Sequence, residues 1–216
     1  MSATRPGSPS PIGVILAGGE GRRLQGGKAS VLLGERPLAS YPVEAMRAAG
    51  LEPLVVAKPD SALADLGCPV LHEPAQPSHP LCGILAALRE CDGRPLVVCA
   101  CDMPFVEPAL LAWLGALDAP LAITGSGDRL HPLLGRYEAT LLEVLAEPLS
   151  RQAPLSETVV MLGARVVGVR ELARFGDPER ICLNVNSPAE LECAERLLAG
   201  RCDDASRSPS SADLAR

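Results

Sequence analysis

The chain has 216 residues, 47% of them hydrophobic and 21% charged, and 20 Lys and Arg against 26 Asp and Glu give a formal net charge of −6. That length suits one domain with a sizeable core, and with aromatic residues at only 2%, Leu, Val and Ala must fill that core. The acidic balance argues against a binder of the nucleic-acid backbone, and no run reaches the roughly 18 uncharged apolar residues of a membrane helix. With no apolar signal core at the N-terminus, the expectation is a cytoplasmic protein without nucleic-acid or membrane partners.

Residues 1–10 are Ser- and Pro-rich and read as a disordered tail, as does the low-complexity stretch 201–216, leaving 11–200 as the domain. Within it, apolar runs of strand length alternate with helix-period segments. Ile12 to Leu16, Pro53 to Ala57, Pro69 to His72, Pro95 to Ala100 and Leu121 to Thr124 are the strand candidates. They are apolar at nearly every position, the pattern of strands covered on both faces. Helices are predicted from the stripe Ile84, Ala87, Leu88, Cys91 and from Leu110, Leu114, Leu117 after Glu107-Pro108. A third is predicted from Ser187-Pro188-Ala189-Glu190, a capping box, to about Ala199, where Gly200 stops it. Alternation of this kind predicts a single-domain, three-layer α/β fold with a mainly parallel sheet. The eight cysteines include no C-x-x-C pair and sit mostly in apolar stretches, so they read as small core residues.

The segment after the first strand, Leu16-Ala17-Gly18-Gly19-Glu20-Gly21-Arg22-Arg23-Leu24-Gln25-Gly26-Gly27-Lys28, holds five glycines and three cations in thirteen residues. Glycines let backbone N–H groups converge on phosphate oxygens, and a loop beyond the carboxyl end of a strand is where an open α/β sheet binds its ligand. An ordinary turn with solvent-facing arginines is the bland alternative. A dinucleotide fingerprint starting at Gly19 needs glycine where Leu24 stands. A P-loop ending Gly27-Lys28 needs Ser or Thr where Ala29 stands and Gly where Arg22 stands.

A second cluster, Cys99-Ala100-Cys101-Asp102-Met103-Pro104, delivers a carboxylate at the end of an apolar strand. Such a hard oxygen ligand suits Mg2+, which takes one or two protein carboxylates and completes its shell with phosphate and water, although Asp102 would also serve as a turn acceptor. Asn184-Val185-Asn186 places two amides on one face of an extended segment, suited to orienting a ligand or a metal-bound water, or simply to capping the helix that follows. In His79-Pro80-Leu81-Cys82-Gly83 the glycine would let a base or ribose approach the backbone. His72, His79 and His131 have no metal-ligand spacing and read as local hydrogen-bonding residues.

In order and spacing, LAGGEGRRLQGGK, HPLCG, CACDMP, HPLL and NVNSPAEL resemble the blocks of the molybdenum cofactor guanylyltransferase family over about residues 11 to 199. The resemblance implies a Rossmann-like nucleotidyltransferase fold of the glycosyltransferase-A type. It also implies transfer of GMP from GTP to the terminal phosphate of molybdenum-loaded molybdopterin, with release of pyrophosphate, Mg2+ as cofactor, and molybdoenzyme maturation proteins as partners. Carried over by position, Leu16, Ala17, Gly18, Gly19 and Gly21 meet the nucleotide and Lys28 its phosphates. Glu73 stands at an acidic nucleotide-contacting position where Asp is the more usual choice, Gly83 approaches base or ribose, Asp102 ligates the metal, and Asn184 and Asn186 face the acceptor. Ala57 or Lys58 stands where the family often has a nucleotide-contacting Asn, a departure from the pattern.

The acceptor phosphate is already an anion near neutral pH, so the chemistry asks for alignment and charge neutralisation rather than a general base. Lys28, Asp102 and Arg22 or Arg23 are the residues assigned to that work. The rival readings are a molybdopterin cytidylyltransferase, another nucleotidyltransferase with a phosphorylated acceptor, and a catalytically silent nucleotide-binding module. Gly18-Gly19 and HPLCG favour guanine, and the presence of both Lys28 and Asp102 favours an enzyme.

Overall fold

The computed structural model describes residues 9–18 and 31–200. In chain order the elements are β1 (Ile12–Leu16), β2 (Leu32–Leu33), β3 (Arg36–Pro37), α1 (Ser40–Ala48), β4 (Glu52–Ala57), β5 (Val70–His72), α2 (Pro80–Glu90), β6 (Leu96–Ala100) and α3 (Pro108–Gly115). They continue with β7 (Leu121–Ser126), β8 (Arg129–Tyr137), α4 (Leu141–Ser150), α5 (Leu155–Met161), β9 (Arg165–Val167), α6 (Val169–Leu172), α7 (Pro178–Ile181) and α8 (Pro188–Leu198). The main sheet has seven strands in the order β5-β4-β1-β6-β8-β7-β9, and β2 and β3 pair as a separate small hairpin.

Alternate residues of the central strands enter two cores, as a doubly covered sheet requires. Ile15, Val55, Ala57, Val97 and Cys99 pack on one face against Val43 and Met46 of α1 and Leu110, Leu111 and Leu114 of α3. Val14, Val56, Leu96 and Val98 pack on the other against Leu81, Ile84, Leu85 and Leu88 of α2, Leu145 of α4 and Val159 of α5. A third cluster around Leu33, Leu38, Phe105, Val185 and Ala194 ties the β2–β3 hairpin to α8. The seven described cysteines are free thiols, and five of them are buried.

All five predicted strands form, and the three predicted helices are α2, α3 and α8. The α8 cap is the box expected from its sequence: Glu190 N donates to Ser187 Oγ at 3.3 Å, while Glu190 Oε2 accepts from Asn186 N at 2.7 Å. Gly200 follows the helix with φ +65, the left-handed conformation that ends a helix on glycine.

Four strands, β2, β3, β8 and β9, have no counterpart among those predicted, and β8 is the one that changes the main sheet's direction. β8 inserts between β6 and β7 and runs antiparallel to both, while every other neighbouring pair of the main sheet is parallel. Arg129, His131, Pro132, Gly135 and Arg136 interrupt the apolar run that would mark a buried strand. Pairing holds it instead, from a two-residue turn at Gly127-Asp128 in which Gly127 has φ +58. The register slips between Ile123 and Thr124, a bulge that accommodates Pro132.

Candidate active site

β1, β4, β5 and β6 run parallel, so their carboxyl ends open on one edge of the sheet. A cleft of about 280 Å³ lies there, lined by residues from the loops after β1, β5 and β6, by the start of α2, by β8 and by the segment before α8. Each loop delivers its side chain for a local reason. Pro104 stops the chain from extending β6, leaving Asp102 in a turn at the strand end, 4% exposed. Asp102 O then accepts from Val185 N at 2.9 Å, and Asn184 Nδ2 donates to Asp102 Oδ1 at 3.1 Å. Val185, fully buried, anchors this extended segment in the third core cluster, so its two neighbours Asn184 and Asn186 both face the cleft.

Asn184 spends its N–H on Asp102, and its Oδ1 is buried without a hydrogen-bond partner. A carboxylate beside an unsatisfied amide oxygen is a hard, oxygen-only donor set, which fits a small divalent cation that binds few protein groups and keeps its remaining positions for phosphate and water. Among the described residues no group of three or more His, Cys, Asp and Glu could hold a metal ion.

Glu73, just after β5, forms the opposite wall and is 6% exposed. Its Oε1 lies 3.6 Å from Lys58 Nζ and its Oε2 has no hydrogen-bond partner. Burial raises the Glu73 carboxyl above its ordinary range, and the Lys58 charge only partly offsets that. Lys58 Nζ also donates to Pro74 O at 2.8 Å. It thereby fastens the Glu73 loop instead of facing the cleft.

Two glycines make room for this wall. A Cβ on Gly18 would lie 1.8 Å from Glu73 Oε1, and one on Gly83 would lie 2.8 Å from Leu16 Cδ2 and 3.3 Å from Glu73 Oε2. Beside Gly83, the N-terminus of α2 turns toward the cleft, capped by His79, whose Nδ1 accepts from Leu81 N at 3.1 Å.

The cleft therefore gathers Leu16, Gly18, Glu73, Gly83, Asp102, Asn184 and Asn186. Ala17 and Ala57 lie beneath it in the core, 5% and 0% exposed, and do not line it. Ala57 contributes its backbone oxygen to Glu73 N at 2.9 Å, so it supports the wall without facing a ligand. Gly19, Gly21, Arg22, Arg23 and Lys28 lie outside the described residues. Arg129 and Leu133 also line the cleft; Leu133 belongs to the HPLL block, but no motif marked either of them as a site residue. The turn signal Ser126-Gly127-Asp128 after an apolar run would have exposed them, because it makes Arg129 the first residue of a returning strand.

A mostly parallel sheet, a glycine-rich sequence following its first strand and an acidic cleft at the strands' carboxyl ends place the chain among the α/β nucleotidyltransferases. Residues 13–166 match the model of the MobA-like NTP transferase domain, and the chain belongs to that family. It is 40% identical over 195 residues to a molybdenum cofactor guanylyltransferase of Cereibacter sphaeroides, with 87% of this chain and 96% of that one covered. A protein of the same name from Acidiphilium cryptum is 34% identical, with 88% and 94% covered. Among solved structures, molybdopterin-guanine dinucleotide biosynthesis protein A of Archaeoglobus fulgidus superposes with a TM-score of 0.72 at 25% identity, covering 88% of this chain and 99% of that one. A nucleotidyl transferase of Methanothermobacter thermautotroptrophicus shares the fold, with a TM-score of 0.67 at 18% identity and coverage of 89% and 100%.

Proposed function

We propose that this chain transfers GMP from GTP to the terminal phosphate of molybdenum-loaded molybdopterin, releasing pyrophosphate. The reading rests on full-length similarity to proteins named for guanylyl transfer. The observation in the site that carries it is the bond joining Asn184 to Asp102, with the unpartnered Asn184 Oδ1 beside it. That pair would hold Mg2+, with Asp102 as the principal ligand, and the bound ion would neutralise the triphosphate and polarise the α-phosphate.

The chain's own residues supply the rest. Gly18, Gly83 and Glu73 shape the wall against which base and ribose lie, and the Glu73 oxygen that lacks a partner is an acceptor waiting for a donor from the nucleotide. The acceptor phosphate attacks as an anion, so the cleft needs no general base. Its tasks are to hold two phosphates in line and offset their mutual repulsion. Lys28 with Arg22 or Arg23 would carry the positive charge on the triphosphate side, worth about 2–4 kcal/mol if a donor meets charge developing in the transition state. Asn186, beside Asn184, orients the acceptor.

The deciding measurement is pyrophosphate release from GTP with Mg2+ and a molybdopterin-type acceptor, run against CTP and repeated with Asp102→Asn. Release with GTP but not CTP, falling by about 100-fold or more in the variant on the scale of other electrostatic transition-state contacts, is the expected result. Equal rates with CTP would move the reading to cytidylyl transfer, and full activity of the variant would remove Asp102 from the metal site.

A further inference from the structure

The described cleft is poor in positive charge. Of the described residues that line it, Asp102 and Glu73 are acidic and Arg129 is the one Lys or Arg. Its place follows from topology. β8 runs against its neighbours, so its first residue lies at the edge where β1, β4, β5 and β6 end. In the order β5-β4-β1-β6-β8, Glu73 follows the first strand, Gly18 the third and Asp102 the fourth, and Arg129 opens the fifth. Arg129 therefore stands one strand beyond Asp102 and two beyond Gly18, against which the Glu73 carboxylate lies.

The hairpin holds Arg129 there. Ser126 and Arg129 close the β7–β8 ladder across the Gly127-Asp128 turn, and the side chain is exposed at the rim. Among the described residues it makes no hydrogen bond and no ion pair. The Glu190 carboxylate, whose ionisation it influences, is already committed. Burial works against that charge, but hydrogen bonds from Asn186 N and Ser187 Oγ, with Arg129 adding a weaker favourable field, hold the Glu190 carboxyl below its ordinary range. His131 and Cys182 also feel the Arg129 charge. Arg129 thus lines the cleft together with Asn184, Asn186 and Leu133, with its donors uncommitted to any described residue.

We propose that Arg129 docks the terminal phosphate monoester of the acceptor, on the side of Asp102 opposite the nucleotide; this rests on the transferase reading given above. A guanidinium presents a planar fork that matches two phosphate oxygens, stays charged at every working pH, and is less costly to desolvate than an ammonium. The chemistry calls for such a cation at that position, because the attacking phosphate must approach an α-phosphate that is itself anionic. Arg22, Arg23 and Lys28 follow β1 in the sequence, and the proposed function assigns them to the triphosphate. A second positive group on the acceptor side offsets the repulsion that remains between the two phosphates.

The test is steady-state pyrophosphate release by the full chain and by Arg129→Ala and Arg129→Lys, varying a molybdopterin-type acceptor at saturating GTP and then GTP at saturating acceptor. The expected result is a KM for acceptor raised by about 10- to 100-fold in Arg129→Ala, the loss typical of a charge-assisted pair of hydrogen bonds. The KM for GTP stays within about twofold, and Arg129→Lys recovers part of the loss because it restores the charge without the fork. GTP-dependent thermal stabilisation equal to that of the parent verifies that the variants fold and bind nucleotide. An unchanged KM for acceptor, or an equal rise for both substrates, overturns the assignment of Arg129. A parent protein that releases no pyrophosphate from GTP overturns the transferase reading itself and this inference with it.

Discussion

Replacing Gly18 by alanine tests how the nucleotide wall is built. The added Cβ would stand 1.8 Å from Glu73 Oε1, where ordinary contact begins at 3.4 Å, so the oxygen must retreat by about 1.6 Å. Glu73 is 6% exposed and its carboxylate sits 3.6 Å from Lys58 Nζ, which leaves it little room to move without loosening that pair. The clashing atom is the tip of a side chain and not backbone, so the fold survives. The expected cost is that of overpacking, about 1–3 kcal/mol, or roughly 2–4 °C in Tm per kcal/mol for a chain of this size. GTP-dependent stabilisation should be lost with it. The partner substitution Glu73→Asp draws the carboxylate back by one methylene and should relieve the clash. The double variant is then more stable than the two single effects summed by about 1 kcal/mol, a coupling that denaturant titration of the four proteins measures. Additive effects, or a Gly18→Ala protein with the parental Tm, would refute the contact on which this reasoning stands.

Gly135→Ala is a contrasting case. Its Cβ would lie 2.3 Å from Ala122 O and 3.1 Å from the Ile123 Cα, both backbone, so no rotamer change relieves it. The expected loss exceeds that of Gly18→Ala, about 3 kcal/mol or more, with insoluble protein or a lower denaturation midpoint as the readout. The Glu73 carboxyl supplies a pH dependence. Its folded-state pKa is raised by burial against the opposing Lys58, so its contribution to stability is fully present below the unfolded value and is lost as pH rises through the folded one. Glu73→Gln should therefore gain in Tm relative to the parent as pH rises from the ordinary carboxylate range through the raised folded-state value, and a difference that is flat with pH would contradict the desolvated carboxyl.

The sequence foretold the parallel half of the sheet and its acidic cleft for a simple reason. β1, β4 and β6 are buried on both faces and are therefore apolar at almost every residue, while Asp102 and Asn184 follow signals that punctuate the chain locally. Pro104 stops one strand, and the Ser187–Glu190 box starts one helix. β8 escaped because its stability comes from pairing with β6 and β7, and Pro132, Gly135 and two arginines hide it from any periodicity. Arg129 was overlooked along with the strand that carries it. Ala57 or Lys58 stands at a departure from the family pattern, and the role of Lys58 depends on Pro74 and Glu73 reaching it from another loop. No reading of adjacent residues contains such a contact.

The bond between Asn184 and Asp102 joins residues 82 positions apart. During synthesis, the strands and the carboxylate emerge well before the amide that completes the cleft. A nascent chain that has released everything through α5 carries its sheet core but not the final donor at the reaction centre. On the proposed role of that pair, the site is complete only once the segment ahead of the last helix reaches Asp102, and truncation before Asn184 leaves a chain with most of its strands but without that bond.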